Sequence, residues 1–86
     1  MPKFLVVDDH AVVREGLKQI LREGFPRASF GEAGNCQEFV ARAGEEVWDL
    51  VILDLSLPGR GGLEALAEVK TLHPKLAVLV LSIHAN

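Results

Sequence analysis

Apolar positions along this chain come in two alternating kinds of run. Residues 4–7, 50–53 and 76–81 are unbroken apolar stretches, the pattern of strands buried on both faces. Between them the apolar residues recur at helical spacing. Over 11–23 they are Val13, Leu17, Ile20 and Leu21, with Arg14, Glu15, Lys18 and Arg22 assigned to the opposite side. The triplet Gly24-Phe25-Pro26 reads as a stop: glycine in the left-handed position, Phe25 folding back on the last turn, and a proline that cannot continue.

Residues 28–33 read as a weaker strand, poor in branched side chains and suited to a sheet edge. Asn35 followed by Glu38 has the spacing of a capping box, opening a helix whose face is Cys36, Phe39, Val40 and Ala43 and which Gly44 closes. After the strand at 50–53 comes "SLPGRGG", a loop with three glycines and a proline. Leu63, Leu66 and Ala67 begin a third helix, widened by Val69 and Leu72 and ended by His73-Pro74. The order β-α-β-α-β-α-β predicts an α/β fold: a parallel sheet with right-handed crossovers and helices on both faces.

In such sheets ligands gather at the carboxyl ends of the strands. Asp8 and Asp9 follow the first strand, Asp54 the third and Ser82 the fourth, so three strands deliver polar groups to one rim. Two adjacent acids at the end of a buried strand repel each other, unless a cation or phosphoryl group joins them. Helix N-capping is the plainer reading of the acid pair, and a solvated loop acid the plainer reading of Asp54. Three carboxylates and a hydroxyl favour a hard, oxygen-seeking cation such as Mg²⁺. A carboxylate can also accept a phosphoryl group as an aspartyl phosphate.

Composition narrows the class. The 86 residues make one small domain, 49% apolar and 24% charged, as an ordered globular chain requires. A formal charge of −3 leaves no basic stripe for nucleic acid. A single cysteine, Cys36, cannot form an internal disulfide, which suits a cytoplasmic location; it reads as a small buried helix residue. No apolar run is long enough to span a membrane, and no signal-peptide pattern opens the chain. His10, His73 and His84 lack metal-ligand spacing and receive no chemistry here. Trp48 reads as packing at the start of the third strand, and the charges of "RAGEEVWD" as a solvated turn.

Taken together, "LVVDDH", "DLVILDLSLPGRGG" and "VLVLS" resemble the first, third and fourth strand motifs of the receiver domain of bacterial two-component response regulators. "VVDDHAVVREGLKQIL" and "VLSIH" are most similar to the branch that usually carries a C-terminal helix-turn-helix of the LuxR/NarL type. The resemblance implies a flavodoxin-like, CheY-like three-layer fold with strand order 2-1-3-4. It implies one receiver domain over 1–86, with the first helix on one face and the other two opposite. Asp54 would be the phosphoacceptor. Asp9, Asp54 and the backbone carbonyl of Ser56 would hold Mg²⁺, with Asp8 acting through a metal-bound water. Ser82 would hydrogen-bond a phosphoryl oxygen and act as the switch. A sensor histidine kinase would be the partner, and the module would act in signalling rather than as an enzyme.

The family continues with a helix, a strand ending in lysine and a last helix, so the resemblance implies a chain truncated after the fourth strand. Lys70 and Lys75 fall toward the opposite rim. The fourth strand then becomes an unguarded apolar edge, and a homodimer or higher oligomer through that edge and the uncovered face is expected. Two other readings compete. A receiver fragment incapable of phosphorylation would serve only as an interaction module. A haloacid-dehalogenase-type phosphatase would need Asp-x-Asp after the first strand, whereas the acids here are adjacent. No Gly-x-Gly-x-x-Gly follows that strand for a dinucleotide.

Overall fold

A computed structural model describes residues 1–55, 57 and 61–81. Seven elements follow one another: β1 (Lys3–Val7), α1 (Ala11–Gly24), β2 (Ser29–Ala33), α2 (Cys36–Ala43), β3 (Leu50–Asp54), α3 (Gly62–Leu72) and β4 (Val78–Leu81). The four strands form one parallel sheet in the order β2-β1-β3-β4. From β1 the chain crosses outward to β2, returns to β3 on β1's other side, and continues to β4. The switch in direction therefore lies between β1 and β3.

Alternation along the strands divides the apolar residues between two faces. Leu5, Val7, Val51 and Leu53 join Cys36, Phe39 and Ala43 of α2, Ala65 and Val69 of α3, and Trp48 in one contiguous core. Phe4, Val6 and Ile52, also buried, take the opposite parity toward α1. There Phe4 meets Phe25 edge-on at 5.3 Å between ring centroids and Phe30 at 5.8 Å.

The rotation of α1 differs from its expected face. Ile20 is 65% exposed, while Lys18 is the buried residue of the helix; Val13, Leu17 and Leu21 are half-buried. The cause lies on β2, where Glu32 draws both Arg14 and Lys18, four residues apart on one side of α1, through hydrogen bonds of 2.8 and 2.9 Å. These two ion pairs tie that side of α1 to β2 and leave Ile20 on the outer side. The helix also ends differently. Gly24 is its last helical residue, and Phe25, at φ −135°, donates its N–H to Leu21 at 2.8 Å while its ring turns to Phe4 instead of the last turn.

α2 keeps its expected face of Cys36, Phe39 and Ala43, with Val40 half-buried. Asn35 Oδ1 accepts the Glu38 N–H at 2.8 Å, but Glu38 Oε1 returns to the N–H of Gly34 at 2.7 Å, one residue before the cap. In α3 the inward line is Gly62, Ala65 and Val69, whereas Leu63 and Leu72 are exposed. A Cβ on Gly62 would stand 2.6 Å from the Leu55 carbonyl oxygen. This backbone-to-backbone approach sets the helix's rotation and folds the chain back just after Asp54.

Trp48 is buried, and its indole N–H donates to the Arg42 carbonyl at 2.8 Å. Its ring lies over Gly31 of β2 so closely that a Cβ there would collide with it. The sparse β2 is thus the seat of the indole. The expected β4 loses residues 76 and 77, because Leu76 closes a turn onto His73 and Lys70 Nζ donates to the Pro74 and Leu76 carbonyls at 3.1 and 2.7 Å. Lys70 is thereby held beside the amino end of β4. Among the described residues, no helix is long and apolar enough to cross a membrane.

Candidate functional site

Sheet register assembles the site. Val7 of β1 pairs with Leu53 of β3, so the residues that follow, Asp8 and Asp54, emerge side by side at the switch point. Asp8 and Asp54 are 2% and 6% exposed; Asp9, one residue on, is turned outward. One ligand atom from each of Asp8, Asp9, His10 and Asp54 can be chosen so that all lie within 4.8 Å of one another. The three acids named from the sequence are thus brought together. Ser56 and Ser82 lie outside the described residues.

Local hydrogen bonds hold the acids in place. Asp8 Oδ1 accepts the His10 backbone N–H at 2.8 Å, closing a tight turn between β1 and α1. The Asp8 N–H donates to Ala33 O at 3.0 Å, tying the turn to the end of β2. Arg14 Nη1 donates to the Asp8 carbonyl at 2.6 Å, while its Nε holds Glu32. The helix-capping alternative for the acid pair fails: His10 is the N-cap of α1, makes no side-chain cap bond, and no acid occupies the first turn.

Two contributors were not assigned from sequence. The His10 ring places Nδ1 2.9 Å from Asp9 Oδ1 and 3.2 Å from Asp8 Oδ1. Its only sequence signal was adjacency to the acid pair. Arg14, a solvent-side charge by helical spacing, instead braces the backbone at Asp8.

Carboxylates gathered at this spacing, Asp8 and Asp54 buried and Asp9 exposed, suit a divalent cation, whose charge offsets their mutual repulsion. The donor set, dominated by carboxylate oxygen, fits Mg²⁺. A nucleophilic carboxylate beside such a cation suits phosphoryl transfer.

Residues 4–86 match the response regulator receiver domain family. The chain is 41% identical over 83 residues to the transcriptional activator protein ExaE of Pseudomonas putida, a match covering 96% of this chain and 39% of that protein. It thus spans about two fifths of the length of the curated relatives it matches. Among solved structures it is similar to the response regulator TrrA of Thermotoga maritima in complex with Mg²⁺-BeF, with a TM-score of 0.88, 33% identity, and coverage of 99% of this chain and 72% of that one. It is also similar to a complex of TrrA with the histidine kinase ThkA, with a TM-score of 0.86, 32% identity, and coverage of 100% and 72%.

Proposed function

The chain belongs to the response regulator receiver domain family, and we propose that Asp54 is its phosphoacceptor, loaded by a sensor histidine kinase with the help of Mg²⁺. The observation that carries this reading is the β1–β3 register, which sets a buried Asp54 beside Asp8 and Asp9 at the switch point. An oxygen of Asp54 attacks the phosphorus of a phosphoimidazole. The new O–P bond forms as the P–N bond breaks, and the imidazole departs with the electron pair.

Asp9, Asp54 and the Ser56 carbonyl would hold the cation in this reading, and Asp8 would act through a metal-bound water. The His10 N–H donates to Asp8 Oδ1 and so orients that carboxylate. When bound, Mg²⁺ supplies positive charge against the carboxylates and the incoming phosphoryl oxygens. Ser82 hydrogen-bonds a phosphoryl oxygen and carries the change to the segment after β4. Support for the kinase as partner comes from TrrA, solved together with ThkA. A second copy of the chain is the other proposed partner, meeting β4, where Leu79 and Val80 are exposed.

Acetyl phosphate with Mg²⁺, followed by intact-mass spectrometry, tests the acceptor. Addition of one phosphoryl group to this chain and none to Asp54→Asn is the expected result. An unmodified chain, or equal modification of both, overturns the assignment and favours a pure interaction module.

A further inference from the structure

The imidazole of His10 enters the carboxylate site at metal-ligand spacing. We propose that His10 Nδ1 is a further ligand of the bound cation, giving the site a nitrogen donor that selects transition-metal divalent ions alongside Mg²⁺. The proposal deepens the phosphoacceptor reading and rests on its metal site.

Geometry is the first support. Ligands about 2.1 Å from an octahedral cation stand about 3.0 Å apart along each adjacent edge. Nδ1 lies 2.9 Å from Asp9 Oδ1, the direct ligand, which is an edge distance; its 3.2 Å contact with Asp8 Oδ1 is to the acid that reaches the cation through water. The backbone explains why. The Asp8 turn takes the His10 N–H onto Oδ1, and this curls the histidine back over the acids at the head of α1.

Chemistry is the second support. Mg²⁺ prefers oxygen and keeps its waters, so an imidazole adds little to its binding. Neutral imidazole suits Co²⁺, Ni²⁺ and Zn²⁺ far better; affinity rises from Co²⁺ through Ni²⁺ to copper and falls again at Zn²⁺. With the ring proton on Nε2, the Nδ1 lone pair is available to the metal.

Removing the ring leaves the helix start intact, because Arg14 donates to the His10 backbone carbonyl and the side chain makes no cap bond. Calorimetric titration of the wild-type chain and His10→Ala with Mg²⁺ and separately with Co²⁺ tests the proposal. Co²⁺ affinity is expected to fall about tenfold or more in the variant, with Mg²⁺ affinity changing less than about threefold. In the Zn²⁺-loaded, ¹⁵N-labelled wild type, the His10 Nδ1 resonance should move to the metal-bound region. Equal weakening of both cations would overturn the proposal by making His10 a support for the carboxylates only, and so would no change in either. His10-dependent Co²⁺ binding without any Mg²⁺ uptake by the wild type would support the ligand assignment and overturn the phosphoacceptor reading.

Discussion

Glu32 shows how one residue redirects its surroundings. It rises from β2 toward α1 and takes Arg14 and Lys18 on its two oxygens, while Glu15 also pairs with Lys18. The hydrogen bond from Lys18, then that from Arg14, holds the Glu32 carboxyl below its ordinary range. The bonds to Glu15 and then Glu32 hold the Lys18 ammonium above its own. A depressed carboxyl stabilises the fold above its unfolded value of about 4.3, and that contribution is lost as pH falls through the lower folded value. A raised lysine stabilises below about 10.4, and its contribution is lost as pH rises through the higher folded value. Glu32→Gln is therefore expected to lower stability at neutral pH by about 1 kcal/mol, kept modest by a side chain 39% exposed. It should also flatten the decline of stability below about pH 4.3, where the wild type loses this contribution. Urea melts at a series of pH values measure both effects, and parallel wild-type and variant curves would refute the assignment. Nothing in the order of residues marks Glu32 as the partner of Arg14 and Lys18, because the pairing depends on how β2 lies beneath α1.

Between elements, two contacts set the geometry of the side opposite α1. Gly31 accepts the Trp48 ring, locking β2 to the segment that leads into β3. A methyl at that position meets the tip of the indole's six-membered ring, and Gly31→Ala is expected to cost about 1–3 kcal/mol by overpacking. Asn35→Ala removes the bond to the Glu38 N–H and is expected to cost about 1 kcal/mol. The two should differ in kind under chemical denaturation followed by Trp48 fluorescence. Gly31→Ala should alter the emission of the native baseline, because it displaces the indole, whereas Asn35→Ala should shift only the midpoint. An unchanged native emission in Gly31→Ala would show that the ring is not seated there. The capping pair was readable in advance from three-residue spacing. Gly31 was not, since a glycine in a weak strand signals only a loss of propensity until its neighbour is known.

At the largest scale, β4 is one of the two edge strands of the sheet among the described residues, β2 being the other, with Leu79 49% and Val80 37% exposed. No charge or proline guards its four residues. Val12 and Ile20 of α1 add exposed apolar surface on the helix. Burying about 500 Å² of such surface per chain is worth on the order of 12 kcal/mol before the entropy of association is subtracted. The proposed pairing of two copies through β4 predicts a dimer or higher assembly at micromolar concentration, and Leu79→Lys should shift it toward monomer by placing a charge on the edge. Sedimentation across a dilution series checks both statements. A monomeric wild-type chain at the highest concentration would remove the case for β4 as an interface.

Period and position along the chain determined the order of elements, the parallel sheet and the rim at which Asp8, Asp9 and Asp54 gather. These follow from local causes: unbroken apolar runs bury on both faces, stop signals act over a few residues, and a parallel crossover has one favoured hand. The resemblance carried the strand order and the assignment of roles, and the observed order agrees with it. Tertiary structure alone decided the rest. The face that α1 buries was settled by Glu32, the rotation of α3 by the approach of Gly62 to Leu55, and the place of His10 by a turn closed on Asp8. Each depends on a contact whose partner belongs to another element or to the backbone, and a linear pattern records which residues are apolar or charged without recording what they will meet.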